Sequence, residues 1–166
     1  MQVRPETPAD HARVDEIQKA AFGRAAEARL VTVLREEVSP QLSLVAVDAG
    51  QVVGHVFFSP VHVDGNELVA AGLGPLAVDP AHQGRGAGGA LVRAGLAACP
   101  DLGWEAVFLL GNPAYYSRFG FTLAAARDLH YESADFDGGF QVRELRPGAL
   151  EGCRGFVRYA PGFADT

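Results

Sequence analysis

The sequence predicts an α+β fold: a mostly antiparallel sheet with one parallel crossover at its centre, flanked by helices. Three observations lead there. Two amphipathic helical stretches come first, three apolar stretches joined by turn residues follow between Leu42 and Val78, and a glycine-rich loop, a helix and a buried strand from Glu105 to Leu110 come after them. Hairpin-joined strands run antiparallel, whereas a strand–helix–strand unit within one sheet places its strands parallel with a right-handed connection.

Each element has a local cause. Val3 lies in a short first strand. Thr7 can cap a helix, Pro8 suits its first position, and Asp10 stands three residues after the cap. Val14, Ile17 and Ala21 share one face of that helix, and Phe22 and Gly23 end it. The second helix runs from about Ala26 to Glu37, with Leu30, Val31, Leu34 and Val38 as its apolar stripe. Leu42 to Val47 is a strand, and Asp48-Ala49-Gly50 turns it into a second, Val52 to Phe58, which continues unevenly to Val63. Asp64-Gly65-Asn66 is a hairpin turn, and Glu67 to Val78 returns as a long strand. Gly72, Gly74 and Pro75 interrupt that strand and belong at a bulge or an edge. The helix after the glycine-rich loop reaches about Ala98 and is broken by Pro100 to Gly103. A short helix carries Tyr115 and Tyr116, Gly120 follows it, and strands near Phe140 to Glu144 and Phe156 to Tyr159 complete the pattern.

Composition narrows the class. The 166 residues suit one domain spanning 1–166, and a 48% hydrophobic content excludes a disordered chain. The net charge of −6, with no basic stripe, argues against a nucleic-acid binder and agrees with a cationic partner such as an amine. Cys99 and Cys153 lack metal-ligand spacing and read as two buried thiols rather than a disulfide; no metal is expected. No signal peptide or membrane span is visible, so a cytoplasmic protein is the expectation.

The most informative stretch is His82-Gln83-Gly84-Arg85-Gly86-Ala87-Gly88-Gly89. Glycines lack a Cβ and let backbone amides approach a ligand. The first amides of a helix have no internal partner, and the helix dipole adds positive charge there. The result is a site for a phosphate or pyrophosphate, to which Arg85 adds a charge-assisted contact. Gly84, Gly86 and Gly89 also fit a dinucleotide-binding Gly-x-Gly-x-x-Gly. The context is wrong for it, because Asp79 to Gln83 separate the glycines from their strand and the next strand ends in Leu109-Leu110-Gly111 rather than in a ribose-binding acid. No Lys-Ser or Lys-Thr follows the glycines, which excludes a P-loop.

Gln83-Gly84-Arg85-Gly86-Ala87-Gly88 resembles the Gln/Arg-x-x-Gly-x-Gly/Ala loop of the GNAT superfamily of acyl-CoA-dependent N-acetyltransferases. Leu76-Ala77-Val78-Asp79-Pro80 is similar to that family's strand leading into the loop, and Tyr116-Ser117-Arg118-Phe119-Gly120-Phe121 resembles its Tyr-x-x-x-Gly-Phe signature. Asn112-Pro113-Ala114-Tyr115-Tyr116 and Val157-Arg158-Tyr159 look like a branch of small bacterial predicted acetyltransferases.

This resemblance implies that the central parallel strands, Leu73 to Val78 and Glu105 to Leu110, splay apart and take the CoA arm in the V between them. Leu76 and Val78 are then expected to bond the pantetheine through their backbones, and an amide at Leu76 or Ala77 to face the thioester oxygen. Gln83, Gly84, Arg85, Gly86, Ala87, Gly88 and Gly89 would receive the pyrophosphate, and Asn112 would bond the pantetheine or hold the short helix. The implied reaction is direct attack of a neutral amine on acetyl-CoA in a ternary complex, with Tyr116 protonating the leaving sulfur; an ordinary phenol, with a pKa near ~10, holds its proton at neutral pH. Tyr115 is expected to face the core. The alternative is a catalytically silent acyl-CoA-binding sensor or interaction module, which has no need of the acid.

The general base stays unassigned. Glu67 on the returning strand reads better as a solvated hairpin residue. Glu27 on the second helix suits recognition of a cationic acceptor, and His55 and His62 read as half-buried strand histidines. Gly72 and Phe108 stand where acyl length would be set, and the apolar Phe156 to Phe163 tail offers an edge for a homodimer.

Overall fold

The computed structural model describes residues 1–165. The chain enters through β1 (Gln2–Pro5) and a single 3-10 turn, Pro8–Asp10, before helix α1 (His11–Phe22). The expected capping residues are present: the Thr7 amide donates to the Asp10 carboxylate at 2.8 Å. Asp10 is also held by Arg4 at 2.8 Å, and this ties β1 to the helix start. Gly23 ends α1 with a left-handed φ of 68°, and α2 (Ala26–Glu37) follows.

Strands β2 (Leu42–Asp48), β3 (Gln51–Val63) and β4 (Ala70–Val78) form the antiparallel meander. Helix α3 (Ala87–Ala98) then crosses to β5 (Ala106–Leu110), which pairs parallel with β4. After the short helix α4 (Pro113–Tyr116) come β6 (Thr122–Leu123), β7 (Leu129–Tyr131), β8 (Phe140–Glu144) and β9 (Gly155–Arg158). The sheet order is β1-β2-β3-β4-β5-β8-β6, with β9 joining the far end of β3 and pairing parallel with β7. The expected α+β plan is therefore present. Strands β6 and β7 add to it; at two and three residues they are too short to show a period-two pattern in the sequence. Glu67 precedes β4 and is exposed, so it is not on the strand as expected.

Residue alternation divides the core between the two faces of the sheet. Val56, Phe58, Val107 and Leu109 pack with Leu91, Val92 and Leu96 of α3. On the other face, Phe108, Phe140 and Val142 form one cluster, and Val45 and Phe57 meet Val14, Leu30, Val31 and Leu34 of α1 and α2 in another. Cys99 and Cys153 are free and buried.

A buried polar chain fastens α1 and α2 to the sheet. Ser43 Oγ donates to Glu6 at 2.7 Å, so it accepts from His55 Nε2, 2.8 Å away. His55 Nδ1 is then the acceptor of the Gln18 amide at 2.9 Å, and Arg35 closes the chain on Glu6. Burial holds the imidazole neutral and pushes its pKa down to about 4, against the pull of Glu6. His55 is thus a structural connector.

Gly95 shows how tightly α3 is seated, since a Cβ there would stand 2.3 Å from the fully buried Phe58 ring. Alanine favours helix by about 1 kcal/mol over glycine. The clash with a ring that has nowhere to move costs at the upper end of about 1–3 kcal/mol. Gly95→Ala is therefore expected to be net destabilising, read as a lower urea midpoint; an unchanged or higher midpoint would contradict this packing.

Candidate functional site

The sheet opens at its centre. Strands β4 and β5 pair only at Ala70↔Ala106, Ala71↔Val107 and Gly72↔Phe108. Beyond that point β4 stays with β3 while β5 stays with β8 as far as Leu110↔Phe140. The β3–β4 register slips between Val56↔Leu76 and Phe58↔Leu73, which leaves one extra residue on β4 at Gly74-Pro75. Such a bulge bends its strand, and here it begins two residues after Gly72, the last residue paired with β5. Gly74 has a φ of 147°, accessible to glycine but strained for other residues.

The bend exposes specific backbone groups. Asp79 N–H donates to Val53 O at 2.8 Å. Hydrogen bonding alternates along an antiparallel ladder, so Ala77 bonds His55, whereas Leu76 and Val78 turn their N–H and C=O groups into the gap. Of the two amides nominated for the thioester oxygen, Ala77 is therefore committed to the ladder, and Leu76 is the one that faces the opening. The Val78 carbonyl accepts the Gln83 side-chain amide at 3.2 Å. Gln83 thus secures the strand end rather than standing clear in the loop.

Asp79 fixes the approach to the loop. Its carboxylate accepts from the Ala81 amide at 3.0 Å and takes Arg13 as an ion-pair partner, and these two contacts hold its pKa below the ordinary carboxylate value. Gly84 and Gly86 are left-handed, with φ of 79° and 89°, and a Cβ on either would meet nothing within 4 Å. Their bare backbone faces open space. Gly86 also occupies the N-cap of α3 and supplies no capping side chain. The amides of Ala87, Gly88 and Gly89 therefore lie in the uncapped first turn of a twelve-residue helix.

A cluster that sequence reading missed surrounds this turn. The Tyr115 hydroxyl lies 3.3 Å from the position of a Gly88 Cβ. Tyr115 is therefore a floor to the helix start, and it is half-buried rather than turned wholly to the core. Arg118 stacks over Tyr115 at 4.6 Å and Arg93 over Phe119 at 5.1 Å. Arg143 donates to the Phe119 carbonyl at 2.8 Å. None of Arg85, Arg93, Arg118 and Arg143 has a carboxylate partner among the described residues, although the chain is acidic overall. The available signal was the spacing of Arg93 four residues after Gly89, which places both on one helix face.

Tyr116 lies at the end of β5. A Cβ on Gly111 would come 2.7 Å from its ring, and Phe121 and Tyr115 meet the ring edge to face at 6.0 and 4.9 Å. Burial, with Tyr115 adding to it, pushes the Tyr116 phenol up to about 12. Asn112 accepts the Ala114 amide at 3.0 Å and so caps the short helix, the second of its two expected uses.

On the opposite face of the sheet, the gap leads to a cavity of about 390 Å³. It is walled by Gly74 and Pro75 of the bulge, Leu110, rings from α1 and the 131–136 segment, Tyr159 and the C-terminal turn. Glu27 lines it, buried and paired with Arg24 at 2.9 Å. Tyr159 lies beneath Gly72, whose Cβ would come 2.5 Å from the ring; its hydroxyl is buried with no hydrogen-bond partner. His62 is exposed and does not line this cavity. Among the described residues no cluster of His, Cys, Asp or Glu is placed to hold a metal ion, and no helix is long and apolar enough to cross a membrane.

A comparison with family models matches residues 2–124 to the acetyltransferase (GNAT) domain. This chain belongs to the GNAT acetyltransferase family. Its GNAT fold is equally plain in solved structures. The N-acetyltransferase YhbS of Escherichia coli (strain K12) is 44% identical over 164 residues, 98% of each chain. The crystal structure of E. coli YhbS, a complex with CoA, is 43% identical with a TM-score of 0.92, covering 98% of this chain and 91% of that one. A GNAT acetyltransferase from Brucella melitensis in complex with acetyl-CoA is 37% identical with a TM-score of 0.80, over 98% and 97% of the two chains.

The 128–137 segment that walls the GNAT cavity is pinned by His130, whose Nδ1 and Nε2 lie 2.9 and 2.8 Å from Asp137 and Asp128. These two carboxylates raise its pKa. The two histidines should therefore titrate on opposite sides of the ordinary value near ~6.5, as measured by ring NMR. His55 should protonate only near pH 4, and His130 should keep its proton beyond the ordinary value. The sign follows from linkage. Stability from neutral His55 is lost as pH falls through the window between about 6.5 and 4, whereas the His130 contribution is lost as pH rises through its folded pKa. A His55 ring that titrates like a free imidazole would contradict the buried chain.

Proposed function

We propose that this chain transfers the acetyl group of acetyl-CoA to a primary amine by direct attack in a ternary complex. One observation carries the reading: Leu76, through its N–H and C=O, and Val78, through its N–H, present backbone groups outside the ladder to an opening that joins the arginine-rich corner on one face of the sheet to the cavity on the other. A buried backbone group without a partner is costly, and the amides of a pantetheine arm satisfy such groups as an added strand would. The fit extends to the loop, where the bare backbone at Gly84 and Gly86 leaves room for a pyrophosphate against the first amides of α3. Arg85, Arg93 and Arg118 add positive charge at the same corner. Acetyl-CoA is the co-substrate in this reading, and residues 1–166 act as a single catalytic domain.

The chemistry follows from what each group does. The Leu76 amide donates to the thioester oxygen as negative charge gathers there, which stabilises the transition state more than the ground state. Tyr116 meets the departing sulfur. Its phenol, pushed up to about 12, is protonated throughout the physiological range. A free thiol ionises near pH ~8.5, so full proton transfer from this phenol runs uphill. Tyr116 therefore acts through a charge-assisted hydrogen bond to the forming thiolate. The amine arrives neutral from the cavity side, so donor and acceptor meet from opposite faces of the sheet; its nitrogen bonds the carbonyl carbon, the C–S bond breaks with its electron pair on sulfur, and the proton lost from nitrogen passes to water.

Two variants test the assignments. Tyr116→Phe is expected to keep acetyl-CoA affinity by calorimetry and to lower kcat roughly hundredfold; equal turnover would sink the role of the phenol. Gly86→Val places a branched side chain at a left-handed position and in the space assigned to the pyrophosphate. It should abolish acetyl-CoA binding while circular dichroism stays native-like, and normal binding would overturn the loop assignment.

A further inference from the structure

The cavity on the far side of the opening has a composition that selects an acceptor class. We propose that the acceptor is a small primary amine with an apolar, preferably aromatic, body, seated among Phe22, Tyr131, Phe136, Tyr159 and Phe163, its nitrogen docking as the ammonium at Glu132 and losing a proton to water before it attacks. This inference rests on the acetyl-transfer reading and narrows it.

Size sets the first limit. About 390 Å³ is the volume of roughly a dozen liquid waters at ~30 Å³ each, so a small amine fills it, whereas a polycyclic aminosugar or a folded protein segment would leave most of its bulk outside the ring walls. Charge sets the second. Three charged residues line the cavity: Arg24, Glu27 and Glu132. Arg24 and Glu27 neutralise each other in a two-point contact. Glu132 has no arginine, lysine or histidine partner among the described residues, which leaves one carboxylate for one cation. A long polyamine, with several ammonium groups, finds one unpaired carboxylate here, and any further ammonium drawn against the rings and aliphatic walls loses its hydration.

The walls set the third limit. Tyr131 packs on Phe136 at 5.2 Å and on Tyr159 at 5.3 Å, and Tyr159 packs on Phe163 at 5.0 Å, each edge to face. The rings are contributed by separate parts of the chain: the 131–136 segment, the residue after β9 and the C-terminal turn. The buried, unpartnered hydroxyl of Tyr159 lies under Gly72, where the sheet begins to open. Glu132 itself is held at a left-handed φ of 52°, with the Ser133 amide donating to the Tyr131 carbonyl across it. A non-glycine residue keeps that conformation only where its surroundings impose it, which places Glu132 at the cavity rim, exposed and hydrogen-bonded by the Tyr131 hydroxyl.

The test is a set of amines offered with acetyl-CoA, with thiol release as the readout and acetyl-CoA binding measured separately by calorimetry. The linear series from ethylamine to n-hexylamine should gain about fourfold in kcat/KM per methylene, with phenethylamine at or above the top. Spermidine, kanamycin and a lysine-containing peptide should fall at least tenfold below phenethylamine. Glu132→Gln should raise KM for phenethylamine about tenfold with little change in kcat, and Phe136→Ala should flatten the chain-length dependence; neither should alter acetyl-CoA affinity. A preference for spermidine, kanamycin or the peptide overturns the inference. So does acetyl-CoA binding without turnover of any apolar amine, which leaves the donor reading standing. Failure to bind acetyl-CoA overturns the transferase reading, and this inference falls with it.

Discussion

The structure depends on one interrupted ladder. After Gly72↔Phe108, β4 and β5 part, and the groups of the proposed site lie along the break. Unpaired backbone in a protein interior is unfavourable, so the gap must be held open by stronger local constraints. The bulge at Gly74-Pro75 turns β4 aside, and the Pro75 nitrogen carries no hydrogen to donate. The Tyr159 ring fills the space under Gly72 so closely that a single added carbon would collide with it. On the far side β8 keeps β5 fully paired, so β5 does not swing in to close the ladder.

The break also divides the labour of the molecule. Because successive residues on a strand point to opposite faces, Leu109 packs beneath α3 while Leu110 looks into the cavity. The phosphate-seeking features gather on the α3 face: uncapped amides, bare glycines and arginines with no carboxylate partner. The aromatic, weakly acidic cavity occupies the other. In the proposed reaction, two ligands of opposite chemistry would meet at one gap without sharing a surface, which suits a transfer requiring both at once.

Much of this is legible in the chain itself. The α+β plan, the helices and their capping residues, the meander, the phosphate-type loop and the interruption at Gly72, Gly74 and Pro75 all follow from local rules, because each depends on residues within a few positions of one another. The position of Tyr116 at the end of β5 is carried by a short motif. Local reasoning fails where the partner is remote. Asn112 and Gln83 are side chains with two plausible employers, and only the folded chain shows one capping a helix and the other bonding a strand end. Glu67 has extended-looking neighbours that suggest a place on β4, yet the pairing begins later, at Ala70.

What the sequence determined alone was the donor side: backbone conformation, glycine placement and helix polarity are encoded in contiguous residues, and so is the family they mark. The proposed acceptor side was decided by tertiary structure. Phe22, Tyr131, Phe136, Tyr159 and Phe163 share no period and no motif, and they become neighbours only when α1, the 131–136 segment and the C-terminal turn converge on the open end of β4. The same holds for His55, an ordinary strand histidine until Gln18 and Ser43 close on its two nitrogens. A cavity wall is made by contacts between distant segments, and no local rule ranks those contacts before the chain has folded.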